Sequence, residues 1–357
     1  MRPIAILLPQ FHELEINNKW WGKGFTDWDK VKNARSLFDG HNQPIIPQNH
    51  IYYNLLERET MEKQTEQMKD AGVYGMAYYH YWYDHEPVME KPAENLLKWT
   101  DIDQKFLMYW SNCDWFYSMP NSYQRNMIFH EEYGDHNDWI KHIQYLIPFF
   151  KDKRYITVDK KPVLCIYRPG EIPHFDEMLT CFEIECQKAG LPGLYIIETL
   201  FNYGEAPYSK KSSAVMYREP NCCKKYTPSC IEDGYSFLEG ISAQNIPNKV
   251  KVYEYEDAYK CSVENQSKYT GKKKMYYGVF TGWDNTPRHG FKGFVIRNNT
   301  PEVFGRYVAD IGKLCEDDDF IFINAWNEWA EGMYMEPDEK NGDGFIKVLK
   351  KIQSLER

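Results

Sequence analysis

No stretch of this 357-residue chain approaches the ~20 uninterrupted apolar residues that a membrane-spanning helix requires. The apolar run from Ile4 to Leu8 is ended by Pro9 and Gln10 before a secretory core would be complete. A soluble, cytoplasmic protein with no integral membrane segment is therefore expected. A basic surplus is also missing: 43 Lys and Arg face 52 Asp and Glu, for a formal net charge of -9. That balance disfavours a general nucleic-acid partner, whose phosphates demand a net basic face. Cysteine is odd in number, nine scattered residues, which suggests reduced thiols instead of a disulfide framework.

Cofactor signatures are absent as well. There is no GxxxxGK[ST] phosphate loop and no dinucleotide fingerprint. Cys222, Cys223 and Cys230 lack paired CxxC spacing, and the HEEYGDH segment from His130 to His136 is not HExxH. Asp317, Asp318 and Asp319 read as a solvated turn before a strand. Neither a metal nor a cofactor is expected.

Aromatic residues are abundant: 11 Trp, 28 Tyr and 19 Phe make up 16% of the chain. Their ordinary use is a core; the other is a wall of flat faces against which a sugar ring stacks. Eight short apolar runs read as strands: Ile4 to Leu8, Val73 to Tyr79, Phe106 to Trp110, Val163 to Tyr167, Leu194 to Glu198, Ser213 to Tyr217, Met275 to Phe280 and Phe320 to Ala325. Several are nearly continuous, as strands buried on both faces are. Helical patterns fall between many of them: Glu59 to Ala71, Pro92 to Trp99, Asp138 to Phe150, Phe175 to Ala189, Pro301 to Leu314 and Gly344 to Leu355. Eight strands alternating with helices predict an α/β fold, a single (β/α)8 TIM-type barrel with long strand-end loops, over residues 1–357. The aperiodic, Lys-rich stretch around 221–274 reads as a loop insertion.

Polar and aromatic residues gather just after the strands, and in a barrel these ends converge on one rim. They are Gln10, His12, Trp20 and Trp21; His80, Tyr81 and Trp82; Asn112 and Asp114; Trp283, Asp284, Asn285 and Arg288; and Trp326 to Glu331. The strongest chemical signal is WNEWAEG, from Trp326 to Gly332. Glu328 and Glu331 are three apart, so a helical turn places both carboxylates on one face, with Trp326 and Trp329 at the same spacing. Two carboxyls suffice for glycoside cleavage: one protonates the departing oxygen while the other helps form the new bond to the anomeric carbon. Spacing alone more often describes a Glu pair capping or flanking the last helix, and placement at a strand end narrows that gap. Asp284 and Arg288 are candidates for holding sugar hydroxyls, with Trp283 as a stacking face, but such a pair four apart is as readily a surface ion pair. His80 suits a hydroxyl contact, acid/base work or a satisfied rim position; Gln10 and His12 share that ambiguity.

Six ordered segments resemble the glycoside hydrolase family 99-like group, in particular its WbsX-like branch, found among proteins of bacterial surface-polysaccharide synthesis. They are LPQFHELEINNKWWGKGFTDWDKVKNA, GHNQPIIP, YYHYW, RYITVDKKPVLCIYRP, FTGWDNTPR and NAWNEWAEGMYMEPD. The resemblance implies a (β/α) barrel with a sugar cleft at the strand C-terminal ends. Substrate contacts would come from Gln10, His12, Trp21, His80, Trp82, Asn112, Asp114, Trp283, Asp284, Arg288, Trp326 and Asn327. It also implies a retaining mechanism in which Glu328 draws the proton from the sugar's own 2-hydroxyl and Glu331 is general acid, then base. The 2-hydroxyl must then lie trans to the leaving group, as in an α-mannoside. One departure stands out: related sequences commonly read WANENW where this chain has WSNCDW, so Cys113 replaces a glutamate.

Three functions follow as expectations. One is an endo-acting glycosidase or transglycosylase on an oligosaccharide or polysaccharide. Another is a glycosyltransferase of O-antigen or capsule assembly. The third is a carbohydrate-binding protein that has lost catalysis, which the Cys113 departure motivates.

Overall fold

The computed structural model describes residues 1–122, 124–235 and 248–355. Its centre is a closed ring of eight parallel strands: β1 (Arg2–Leu7), β2 (Gly75–Tyr83), β3 (Phe106–Trp110), β4 (Lys161–Ile166), β5 (Tyr195–Leu200), β6 (Ala214–Tyr217), β7 (Lys274–Phe280) and β8 (Phe320–Asn324). Each strand pairs in parallel with its chain neighbours, and β1 closes the ring by pairing with β8 through Ile4↔Phe322 and with β2 through Ile4↔Gly75. The expected (β/α)8 barrel is present. All five residues of β3 and of β8 are buried. One face fills the barrel and the other meets the helices, so no alternating polar face is needed.

Seven helices complete the barrel: α1 (Arg58–Ala71), α2 (Lys91–Lys98), α3 (His136–Phe150), α4 (Phe175–Lys188), α5 (Tyr255–Gln266), α6 (Pro301–Gly312) and α7 (Gly344–Leu355). The connection from β5 to β6 has no helix; the buried Glu198 carboxylate braces it instead, accepting from the amides of Tyr208 (2.6 Å) and Ser209 (3.0 Å). Among the described residues no helix is long and apolar enough to cross a membrane.

The stretch 221–274 holds more regular structure than its composition suggests, apart from 236–247, which lie outside the described residues. It contributes α5 and two strands, Ser229–Asp233 and Lys249–Glu254. These strands join Phe294–Arg297 and Trp283–Asp284 in a four-stranded side sheet. The α5 pattern escapes a hydrophobicity reading because its buried positions are Tyr255, Ala258, Tyr259, Ser262 and Gln266. They recur at helical spacing but are small or polar. Gln266 is buried because its amide exchanges two bonds with Gly278 of β7, donating to the carbonyl at 2.8 Å and accepting from the N–H at 3.0 Å.

Candidate active site

The segment after β8 positions the two glutamates. Asn327–Glu328 pairs antiparallel with Met333–Tyr334, and Trp329–Glu331 forms one 3-10 turn between them. In such a turn residues i and i+3 eclipse, so the carboxyls of Glu328 and Glu331 leave on the same side. Gly332 closes the turn at φ 63, where a Cβ would lie 2.7 Å from the amide nitrogen of Asp284. Both the left-handed φ and the close approach require glycine.

Glu328 and Glu331 line a cleft of about 670 Å³ at the C-terminal ends of the strands, within the size range of small-molecule sites. Gln10, Asp114 and Arg288 line it too, along with Lys30, Tyr81, Cys113 and Lys224. Arg288 organises the floor. Its guanidinium forms a two-pronged pair with Asp27 (2.9 and 3.0 Å) and reaches Glu328 at 3.5 Å and Glu331 at 3.2 Å. The two glutamate contacts are ionic and lack hydrogen-bond alignment. Arg288 Nε and Glu328 Oε2 thus have no hydrogen-bond partner among the described residues. Buried polar atoms left in that state mark where a ligand's hydroxyls would bond.

Burial and the neighbouring Glu331 push the Glu328 carboxyl up to about 8, opposed by Arg288 and by Arg218. Arg218, at the end of β6, is buried beside Tyr79, to whose hydroxyl it donates at 2.9 Å; its Nε and Nη1 have no partner among the described residues. Lys30 is pushed down to about 8 by burial and by Arg288. Tyr81 is held well above its usual range by burial and by Glu328, so it presents a protonated hydroxyl.

Nine other candidates do not line this cleft. Strand parity explains two of them. Along β2, alternate side chains face opposite ways: Tyr79, Tyr81 and Tyr83 stack in one row, with Tyr81 and Tyr83 on the cleft. His80 and Trp82 turn outward onto α3, where His80 Nε2 meets His142 Nε2 at 2.8 Å and Trp82 stacks on His142 at 4.4 Å. Burial pushes His80 down to about 3, leaving it a neutral packing residue and not an acid or base.

Asn112 and Asn327 are backbone clamps. Asn112 accepts from the Arg168 amide (2.7 Å) and donates to the Arg168 carbonyl (2.8 Å). Asn327 makes the same exchange with Leu8 (2.7 and 3.0 Å). Asp284 faces away, accepting from His41 Nε2 and Gln43, both at 2.7 Å, and does not pair with Arg288. Trp283 stacks on Phe294 at 5.0 Å. The Trp326 and Trp329 indoles are buried, and their N–H groups donate to Glu336 (3.1 and 2.6 Å), so they offer no face to a sugar. His12 is buried, with neither ring nitrogen partnered among the described residues, and burial pushes it down to about 4. Trp21 lines an adjoining groove with Trp20 and Tyr117 that shares Lys30 and Ser118 with the cleft.

Asp27, Lys30 and Arg218 are functional candidates that the sequence did not single out, and Tyr81, placed on the rim by its strand-end position, was not counted among the substrate contacts. Parity of the YYHYWY run would have selected Tyr81. Asp27 pairs with a partner 261 positions away, which no local spacing reveals.

The strands and this cleft define a (β/α)8 barrel with a polar, charge-lined cleft at the C-terminal ends of its strands. The chain belongs to the family described as Glycosyltransferase WbsX, whose model matches residues 3–349. The uncharacterized protein WxcX of Xanthomonas campestris pv. campestris is 26% identical over 99% of this chain. The chain spans about half the length (49%) of that curated relative. Among solved structures, the GH99 endo-alpha-mannosidase from Bacteroides thetaiotaomicron superposes with a TM-score of 0.58 at 14% identity, covering 99% of this chain and 98% of that one. A glycoside hydrolase-like protein gives 0.60 at 11% identity, covering 98% and 93%. At these identities the likeness is one of fold.

Proposed function

We propose that the chain is a retaining glycan-processing enzyme, an endo-glycosidase or transglycosylase acting on α-mannoside-like linkages. The observation that carries the reading is the pair Glu328 and Glu331 on one side of a 3-10 turn, facing a shared cleft and bridged by Arg288. Glu328 as carboxylate takes the proton of the sugar 2-hydroxyl, whose oxygen attacks the anomeric carbon. The bond to the leaving oxygen breaks as Glu331 delivers its proton there. Water then opens the resulting 1,2-anhydro sugar: Glu331 takes the water proton and Glu328 returns its own to the 2-oxygen. Two inversions give retention, and neither acid becomes covalently bound. The reaction needs Glu328 ionised and Glu331 protonated. Arg288 and Arg218 favour that ionised form, but burial and Glu331 outweigh them and hold the Glu328 carboxyl up to about 8, so near neutrality the proton rests on Glu328 in the free cleft and the reaction requires it on Glu331 once substrate is bound.

Incubation with α-linked mannooligosaccharides followed by proton NMR tests the reading: the first product anomer should retain the substrate configuration. Glu331→Gln should lower turnover of an unactivated substrate by about 10²–10⁴-fold. Full turnover by that variant, or an inverted first product, would dismiss the assignment. The family's description favours a second reading, a glycosyltransferase of surface-polysaccharide assembly. Calorimetric titration separates the two: tight binding of a sugar nucleotide, with no cleavage of oligosaccharides, supports transfer.

A further inference from the structure

The charge of the cleft opposes the charge of the chain. Acidic residues outnumber basic ones overall, 52 to 43. Among the described residues lining the cleft, five Lys and Arg (Lys30, Arg125, Lys224, Arg288 and Lys292) face three carboxyls, Asp114, Glu328 and Glu331. These cations come from four separate places. Lys30 lies on the short helix Asp27–Lys32, Arg125 on a hairpin after β3, Lys224 on a 3-10 turn after β6, and Arg288 and Lys292 follow β7. Convergence from so many loops makes the positive potential a property of the cleft and not of one helix face.

Three of the five cations make no ion pair among the described residues, although Asp27 and Glu331 act on Lys30, Glu331 on Lys224 and Asp114 on Arg125 from farther away. Arg288 serves Asp27 and the two glutamates. Among the described residues, no carboxylate lies within ion-pair distance of Lys30, Arg125 or Lys224; each instead rests over an aromatic ring. Lys30 Nζ is 4.9 Å from the Trp21 ring, the Arg125 guanidinium 3.7 Å from Phe116, and Lys224 Nζ 4.2 Å from Phe294. Asp114 is already bound by His130 Nδ1 at 2.7 Å. His289, which also lines the cleft, is pushed down to about 4 chiefly by burial and further by the nearby cations Arg288, Lys30, Lys292 and Arg125. A cleft built for neutral mannosides alone has no use for this arrangement. Low-dielectric walls of one sign concentrate ligands of the other.

We propose that the glycan taken by this cleft is anionic, carrying a carboxylate or phosphate near the reacting sugar that Lys30, Arg125 and Lys224 bind. This rests on the cleft being the glycan site. Cationic side chains poised over rings hold their charge in place while leaving their N–H donors available to an oxyanion.

The test is calorimetric titration of the full chain with four probes. They are a uronic acid oligosaccharide, the same oligosaccharide after carboxyl reduction, a phosphorylated mannooligosaccharide and a nucleoside diphosphate sugar. A charged probe should bind on the order of tenfold more tightly than the reduced, neutral one at low salt. The gap should narrow at high salt and collapse in the double variant Arg125→Gln/Lys224→Gln, whose unaltered melting temperature certifies its fold. The uronate, phosphate and nucleotide arms assign the source of the anion. Equal affinity for charged and neutral probes, or a preference that survives in the double variant, overturns the proposal. Product formation is followed separately. Glu331-dependent cleavage without charge preference removes only this inference; charge preference without any turnover removes only the enzymatic reading.

Discussion

At the scale of single residues, Glu328 links chemistry to stability. Its carboxyl is raised to about 8 by burial and Glu331, so the folded chain holds that proton more firmly than the unfolded chain, whose glutamates titrate near ~4.3. A state that binds more protons is favoured at low pH. The contribution is therefore fully present below the unfolded value and is lost as pH rises from there through about 8. Glu328→Gln removes the titration, so thermal melts should show wild type losing more stability than the variant between pH 5 and pH 9, by a few kcal/mol at most. The same variant should lose turnover. Parallel melting temperatures across that range would show that the Glu328 carboxyl is not raised in the folded chain. Arg288 gives a second test. Asp27 is buried and its carboxylate depends on the Arg288 fork, so Arg288→Ala strands a buried charge at a cost of about 3–5 kcal/mol. Arg288→Lys keeps the charge but loses the planar fork. In urea denaturation Arg288→Lys should fall between wild type and Arg288→Ala; a neutral Arg288→Ala would contradict the pairing.

At the scale of elements, the turn that carries both glutamates depends on Gly332. Gly332→Ala places a Cβ 2.7 Å from a backbone nitrogen of Asp284 at φ 63, and a backbone atom cannot step aside as a side-chain tip does. The expected cost is about 1–3 kcal/mol, with turnover reduced because the turn sets the direction of Glu328 and Glu331. Chemical denaturation and rate measurements on one preparation check both effects, and an alanine variant with unaltered rate would show that the turn tolerates rearrangement. The strands of the ring were legible because burial on both faces writes itself as continuous apolar runs, as in FIFIN of β8. The α5 helix was not, since its inward face is built of Ala, Ser, Gln and Tyr, which register as helical only once Gln266 is seen bonding Gly278. In the site, Glu328, Glu331, Arg288, Asp114 and Gln10 were legible from strand-end position. His80 and Trp82 were misplaced because the cluster was read without the two-residue period of β2, which turns them onto α3. Asn112 and Asn327 looked like ligand contacts because a buried amide that clamps backbone and one that binds sugar have the same sequence appearance.

At the scale of the molecule, the side sheet decides whether the chain behaves as one unit. Its faces are divided: Tyr253, Trp283 and Ile296 pack into the main core, while Val250, Val252 and Val295 form a small separate cluster with Leu37, Phe38 and Phe291. Phe294, on the same sheet, also lines the cleft and carries Lys224. Melting the sheet would thus strip apolar cover from the barrel and displace a cation of the site. The barrel in turn has no free edge from which to unzip, because β1 pairs on both sides. Opening any strand pair exposes the shared core, so local opening and global unfolding converge in free energy. One calorimetric transition, with calorimetric and van't Hoff enthalpies in agreement, is expected despite a length at which two-state behaviour is often lost. Native-state hydrogen exchange should protect the amides of Val252 and Val295 to the same limiting free energy as those of β8. A separate early transition, or side-sheet amides exchanging well before β8, would mean that the sheet is an independent unit whose loss precedes that of the barrel.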